Sequence, residues 1–286
     1  MRKNIGPIML VAGTAIGSGM LALPLVLAQL GLITSVVFML FMAIFTYYSA
    51  IINIELHLQL DKPAYSFGKL AEHYAGPKAA FIGHASFTLL SYSLMAVFIY
   101  GGSSVIENLL FDQDISFEFS IIATIYALGA IFILSLPIRA VDYVNRILFF
   151  ALLAVILAFI LGMYVTIDYQ AIPTEHADLM KAWSLAIPVV FTSFGYQGSI
   201  PAIINYCRRD SKDLKDIFFW GSLLPAIIYI IWTSSVLLVI YQNNHAFYQL
   251  IISGDIEVGL MIKELVRISG HYYIETITWW IAIIAI

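Results

Sequence analysis

The sequence predicts an all-α polytopic membrane protein, and three observations predict it. Of its 286 residues, 61% are hydrophobic and only 11% charged, where a soluble domain carries about 25% charge. The hydrophobic residues gather into segments of about 20 residues, the length a helix needs to cross hydrocarbon. Two of those segments are broken near their middles by glycine and proline. The net charge of −4 and the pI near 5.8 argue against a nucleic-acid partner. A single cysteine, Cys207, gives no intrachain disulfide. No cofactor or metal is called for by any motif.

Seven apolar segments fall at roughly 5–30, 33–57, 80–106, 119–137, 146–167, 182–204 and 217–241, and an eighth begins near Tyr272. The eighth holds 15 residues to Ile286, too few to span, so the chain reads as truncated within helix 8. Met1-Arg2-Lys3 resembles the start of a signal peptide, but the apolar run behind it is too long and lacks a cleavage site. It reads as a retained first span with a cytoplasmic N-terminus. That orientation puts eleven Lys and Arg residues in the inner segments and three (Lys181, Lys263, Arg267) in the outer ones, a positive-inside bias.

Two connections predict short amphipathic helices. Phe67, Leu70, Ala71 and Tyr74 share one face of residues 63–76, on the cytoplasmic side. Val258, Met261, Ile262 and Leu265 do the same in residues 255–268, outside. The plain reading of both is a helix lying at the membrane interface; the sharper one makes the outer helix a lid.

The first break is Gly13-Thr14-Ala15-Ile16-Gly17-Ser18-Gly19-Met20-Leu21-Ala22-Leu23-Pro24. Glycine costs a helix interior about 1 kcal/mol relative to alanine, and proline about 3. In hydrocarbon, non-helical backbone survives only where protein or a water-filled cavity covers it. A half-helix N-terminus there offers its free amides to an anion. The second break is Phe194-Gly195-Tyr196-Gln197-Gly198-Ser199-Ile200-Pro201 in the sixth segment. The first break opens one five-helix unit, residues 1–168, and the second opens another, 169–286, inverted relative to it within a single transmembrane domain. Paired interruptions in inverted halves point to a transporter's binding site. The competing reading is helix packing, because Gly13/Gly17 and Gly195/Ser199 are small-xxx-small pairs. The glycines make neither a Walker loop nor a Rossmann turn, since no Lys follows and no strand precedes. Gly17-Ser18-Gly19 has the look of a serine nucleophile, but the only mid-membrane base is His84, so no enzyme is predicted.

With the basic segment Arg208–Lys215 added, these motifs resemble the hydroxy/aromatic amino acid permease family. Its tyrosine- and tryptophan-specific members share a glycine-rich first helix and a sixth-helix Phe-Gly segment leading to Ser, a hydrophobic residue and Pro. The family lies in the amino acid–polyamine–organocation superfamily. The resemblance implies a five-plus-five inverted-repeat fold and proton-coupled import of an aromatic amino acid through a bacterial inner membrane. It implies that the substrate carboxylate meets amides around Thr14, Ala15, Ile16, Gly17, Ser18 and Gly19. The amino group meets carbonyls around Phe194, Gly195, Tyr196 and Gln197, with Gly198 and Ser199 closing that segment. The third span completes the pocket, with Tyr92 placed to reach the carboxylate or, in the plain reading, to pack between helices. Family members carry further spans, so the alternative is a non-transporting sensor or a truncated remnant.

Ionisable groups inside a membrane are expensive and usually functional. The candidates are Glu55, His57, His84, Glu107 and Glu275. His84 leads as proton carrier because histidine titrates nearest neutral pH, and Glu55 follows. The plain reading is that all of them snorkel to the interface. Span 5 has no lysine between Ile147 and Ile167 to replace a sodium ion, so sodium coupling stays open beside proton coupling. The expected outcome at the first break is that Gly17→Leu abolishes amino-acid uptake into cells while membrane insertion, measured by immunoblot of the membrane fraction, is unchanged.

Overall fold

The computed structural model describes residues 5–16, 19–60, 65–111, 117–164, 172–207, 211–269 and 279–280. Gly17, Ser18, Arg208, Arg209, Glu275 and most of the eighth segment lie outside the described residues. Every regular element among the described residues is helical. The order is α1 (Ile5–Ala15), α2 (Gly19–Leu27), α3 (Leu32–Leu58), α4 (Phe67–Phe111), α5 (Phe119–Leu134), α6 (Ile138–Tyr164) and α7 (Leu179–Ser193). α8 (Ile200–Tyr206), α9 (Ser211–Asn243), α10 (His245–Ser253) and α11 (Val258–Ser269) follow. Short 3₁₀ turns occupy Ala28–Leu30 and Tyr196–Ser199.

Among the described residues four stretches are long and apolar enough to cross a membrane: α3, α4, the pair α7–α8, and α9. The pair α1–α2, bent by 50°, makes a fifth. Among the described residues the fourth and fifth expected spans contribute the apolar stretches Phe119–Ile133 and Ile147–Phe159. α5 rises about 24 Å at 1.5 Å per residue, because Pro137 follows its end. α6 as a whole runs 27 residues, from Ile138 to Tyr164.

α9 is the central helix. It packs against α1, α2, α3, α6, α10 and α11. Tyr229, Trp232, Val236, Leu237 and Ile240 along it are fully buried. α4 is its opposite, with Phe81, Ile82, Leu89 and Tyr92 all more than 60% exposed. In lipid such faces cost nothing, and helices associate through close packing and hydrogen bonds instead.

The predicted cytoplasmic helix forms and has a specific partner. Gly76 takes φ +80°, which favours glycine, and Pro77 restarts the helix behind it. Residues 67–75 thereby fold back on the start of the third span. Gly68 sits against the His84 ring, and Phe67 stacks on Phe87 at 6.5 Å. Tyr74 donates to the Leu56 carbonyl at 2.8 Å. On this side His57, at the end of α3, is buried with its Nδ1 and Nε2 at 2.8 and 2.9 Å from the carbonyls of Asn53 and Tyr65.

α11 buries the predicted face: Met261, Ile262 and Leu265 are fully buried. It packs on α4, α9 and α2. Its Glu264 accepts from Arg267 at 2.6 and 2.9 Å and from Asn244 at 2.7 Å. Burial pushes the Glu264 carboxyl up, but the hydrogen bonds from Arg267 and Asn244 outweigh it and hold the group below the usual carboxylate range. A depressed acid stabilises the fold above its unfolded pKa, and that contribution fades as pH falls through the folded value. The wild type therefore melts above Glu264→Gln at pH 7 in detergent, and the gap between their melting temperatures closes as pH falls from 5 toward 3.

Candidate functional site

Both breaks form where the sequence weakens the helix. α1 stops at Ala15, with Ile16 N–H returning to Ala12 O at 2.8 Å. α2 restarts at Gly19. α7 stops at Ser193, where Phe194 N–H returns to Val190 O at 3.2 Å and Gly195 N–H to Thr192 O at 2.9 Å. The 3₁₀ turn Tyr196–Ser199 then leads into α8, whose first turn carries Pro201, a residue that needs no amide partner there.

The two breaks lie side by side. A Cβ on Gly19 would stand 2.6 Å from Ser193 Oγ and 3.1 Å from Ser193 Cα. Only glycine allows α2 to approach the end of α7 so closely. Tyr229 of α9 joins both breaks: its Oη lies 2.5 Å from Ala15 O and 2.9 Å from Ser193 O. The Phe194 ring meets Tyr229 edge-on at 5.2 Å.

The apolar interior divides at this level. Ile16 and Phe194 belong to one buried cluster, with α2, α7 and the second half of α9. Ala15 and Tyr196 belong to a second, with Ala50, Ile54, Ile200, Leu214, Ile217 and Phe218. The breaks sit on the seam between the two.

Most of the predicted site residues are brought together. Ala15, Ile16, Phe194 and Tyr196 are buried, and Gly19 is half-buried against Ser193. Thr14 is exposed and its hydroxyl bonds back within its own helix, donating to Val11 O at 2.8 Å. Gly195 is exposed at the turn. Tyr196 donates to Ser222 Oγ at 2.5 Å, because the Ser222 hydroxyl proton is already directed to Phe218 O at 2.7 Å. Gln197 donates to Thr46 O at 3.2 Å, and its Oε1 is buried without a partner. A Cβ on Gly198 would stand 3.3 Å from the Phe87 ring, and Ser199 donates to Tyr196 O at 2.7 Å.

Three predicted residues stand elsewhere. Tyr92 is 68% exposed. It lies five positions beyond Phe87, about 140° round the helix from the edge that meets Gly198. His84 packs on Gly68, one turn before Phe87. Glu55 pairs with Lys215 at 3.1 Å, with both side chains about half exposed. Among the described residues no group of His, Cys, Asp and Glu could hold a metal ion.

The whole chain, residues 1–286, matches the family model of the tryptophan/tyrosine permease family. The chain belongs to this family. Among curated permeases it is 32% identical to tyrosine-specific transport system 1 of Haemophilus influenzae, over 96% of this chain and 67% of that protein. It is 29% identical to glutamine transporter 2 of Aliivibrio fischeri, over 82% and 60%. It is 27% identical to the low affinity tryptophan permease of Escherichia coli, over 94% and 65%. The chain thus spans about two-thirds of the length of the relatives it matches. No solved structure matches it. The family is one of multi-pass membrane transport proteins, not of enzymes.

Tyr229, Ser222 and Thr46 escaped the sequence reading. Tyr229 sits in the run Ile227-Ile228-Tyr229-Ile230-Ile231. A hydroxyl flanked on both sides by isoleucine pairs is the signal that could have found it, because such a group needs a partner. The close approach at Gly19 is testable against an open glycine. Gly19→Leu forces α2 and α7 apart and costs about 1–3 kcal/mol, lowering the melting temperature in detergent. Gly129→Leu, which meets nothing within 4 Å, leaves it within error.

Proposed function

We propose that the chain forms the substrate-binding part of a secondary transporter that imports an aromatic amino acid, tyrosine or tryptophan, with a proton. The observation that carries this reading is the apposition of two broken helices, Gly19 against Ser193, deep in an apolar chain. Half-helix N-termini favour a carboxylate and unwound carbonyls favour an ammonium, so paired breaks suit an amino-acid zwitterion. In this reading the amides of Thr14–Gly19 hold the carboxylate and the segment Phe194–Ser199 holds the amino group. The two helix units, residues 1–168 and 169–286, are inverted repeats, and the N-terminus faces the cytoplasm of a bacterial inner membrane.

The relatives' names support an aromatic substrate, with two tyrosine-specific transport systems and several tryptophan permeases beside a glutamine transporter. Selectivity among these rests on the pocket's far wall, where one methyl-sized change is worth about 1–3 kcal/mol. For the proton, His84 is favoured over Glu55. His84 lies one helical turn from Phe87, whose ring faces Gly198 of the second break, whereas Glu55 is engaged by Lys215. Moving one charge through 100 mV supplies about 2.3 kcal/mol, enough for roughly 50-fold accumulation at 1.4 kcal/mol per decade.

Proteoliposomes test the proposal. With an imposed inward proton gradient, the protein accumulates radiolabelled tyrosine or tryptophan, and a protonophore collapses the uptake. Accumulation of glutamine alone, or binding of tyrosine without accumulation, overturns it in favour of another substrate or a sensor.

A further inference from the structure

A polar atom sealed inside a protein needs a partner, and leaving it without one costs as much as a lost hydrogen bond or more. Among the described residues such side-chain atoms occur on Gln29, Asn53, Gln197, Trp232, Thr233 and Tyr248, and of these only Gln197 lies in one of the two breaks. Its amide has a fixed orientation. Nε2 donates to Thr46 O of α3 at 3.2 Å, and a carbonyl only accepts, so the nitrogen end must face α3 and Oε1 is the end left over. The residue as a whole is half-buried, while Oε1 itself is sealed. The backbone carbonyls around it are already engaged. Phe194 O accepts from Tyr196 N–H at 2.9 Å, Tyr196 O from the Ser199 hydroxyl at 2.7 Å, and Gln197 O from Ile200 N–H. The side-chain oxygen of Gln197 is therefore a buried acceptor of the second break that, among the described residues, has no donor. α1 packs on the 3₁₀ turn that carries it, and Tyr196 shares a buried cluster with Ala15 at the end of α1.

We propose that Gln197 Oε1 accepts a hydrogen bond from the substrate's ammonium group, so that a side chain, and not the backbone alone, reads the amino group at the second break. The inference rests on the breaks being the substrate site. An α-amino acid carries its ammonium and its carboxylate on one carbon, so the acceptor for the first must stand beside the donors for the second. The packing of the Gln197 turn on α1 meets that condition. An amide oxygen suits the task. It accepts from a cation without burying a charge of its own. It also does not titrate, so it holds the amino group equally well at either end of a proton gradient.

The experiment compares wild type with Gln197→Met and Gln197→Glu in proteoliposomes. Each is given radiolabelled tyrosine, with the des-amino analogue of tyrosine, 3-(4-hydroxyphenyl)propionate, as competitor. Both variants lose the bond to Thr46 O, a loss that weighs on the two compounds alike and cancels in the ratio of their constants. Gln197→Met raises the KM for tyrosine about tenfold, the scale of one hydrogen bond to a charged group, and leaves inhibition by the analogue unchanged. The preference for tyrosine over the analogue narrows by the same factor. Gln197→Glu places a carboxylate beside the ammonium and widens the preference. A preference equal to wild type in either variant that reaches the membrane overturns the proposal, as does failure of both to insert. A change confined to the preference for tyrosine over phenylalanine also overturns it and assigns Oε1 to the ring hydroxyl. A wild type that accumulates glutamine but no aromatic amino acid overturns the proposed function instead, and glutamine against its own des-amino analogue then decides the role of Gln197.

Discussion

A peptide group inside hydrocarbon has no water to bond, so each interruption of a membrane helix must find partners within the protein. That constraint shapes the centre of this molecule. Several amides and carbonyls at the breaks solve it locally: Ile16 with Ala12, Phe194 with Val190, Gly195 with Thr192, Tyr196 with Phe194. The carbonyls of Ala15 and Ser193 solve it at a distance through Tyr229. Their partner lies on a third helix, so α1, α7 and α9 must stand together. The lack of a side chain at Gly19 then lets α2 close on the end of α7.

The rest of the fold follows from where those three helices meet. α9 packs the shared hydroxyl side inward and leaves Phe219, Trp220, Ile227 and Ile231 exposed, and Ser222, two turns before Tyr229, accepts the Tyr196 hydroxyl. The apolar interior parts into two clusters at this level, so the breaks are also where packing between the halves is interrupted. The outer edges are tied by polar contacts instead. Tyr100 and Ser104 donate to Glu257, just before α11, and Glu175 accepts from Gln249 and meets His245 at 3.0 Å.

Much of this was legible in the chain. Each of the seven predicted apolar segments coincides with a helix or a broken pair, and α11 buries the face its periodicity assigned. Both breaks fall within the predicted stretches, the first after Ala15 and the second over Phe194–Ser199, but Gly13 and Pro24 stand inside α1 and α2 and Pro201 inside α8. The helix over 67–75 was also visible, but not that it folds back on the rest of α4 beyond Gly76, since that turns on the single φ angle of Gly76. The orientation of Tyr92 was out of reach: sequence gave its depth along α4, and only packing at Phe87 fixes which edge meets the second break.

By itself the sequence determined which stretches suit hydrocarbon and where two of them fail as helices. Hydropathy, glycine and proline act over one or two turns, and their effects survive whatever the rest of the chain does. Tertiary structure alone decided that the two failures lie against each other and share one hydroxyl. Ala15 and Tyr229 are 214 positions apart, and Ser193 and Tyr229 are 36 apart. No local preference connects such residues. Their meeting depends on how three helices pack, on the absence of a side chain at Gly19, and on the need of two stranded carbonyls for one proton.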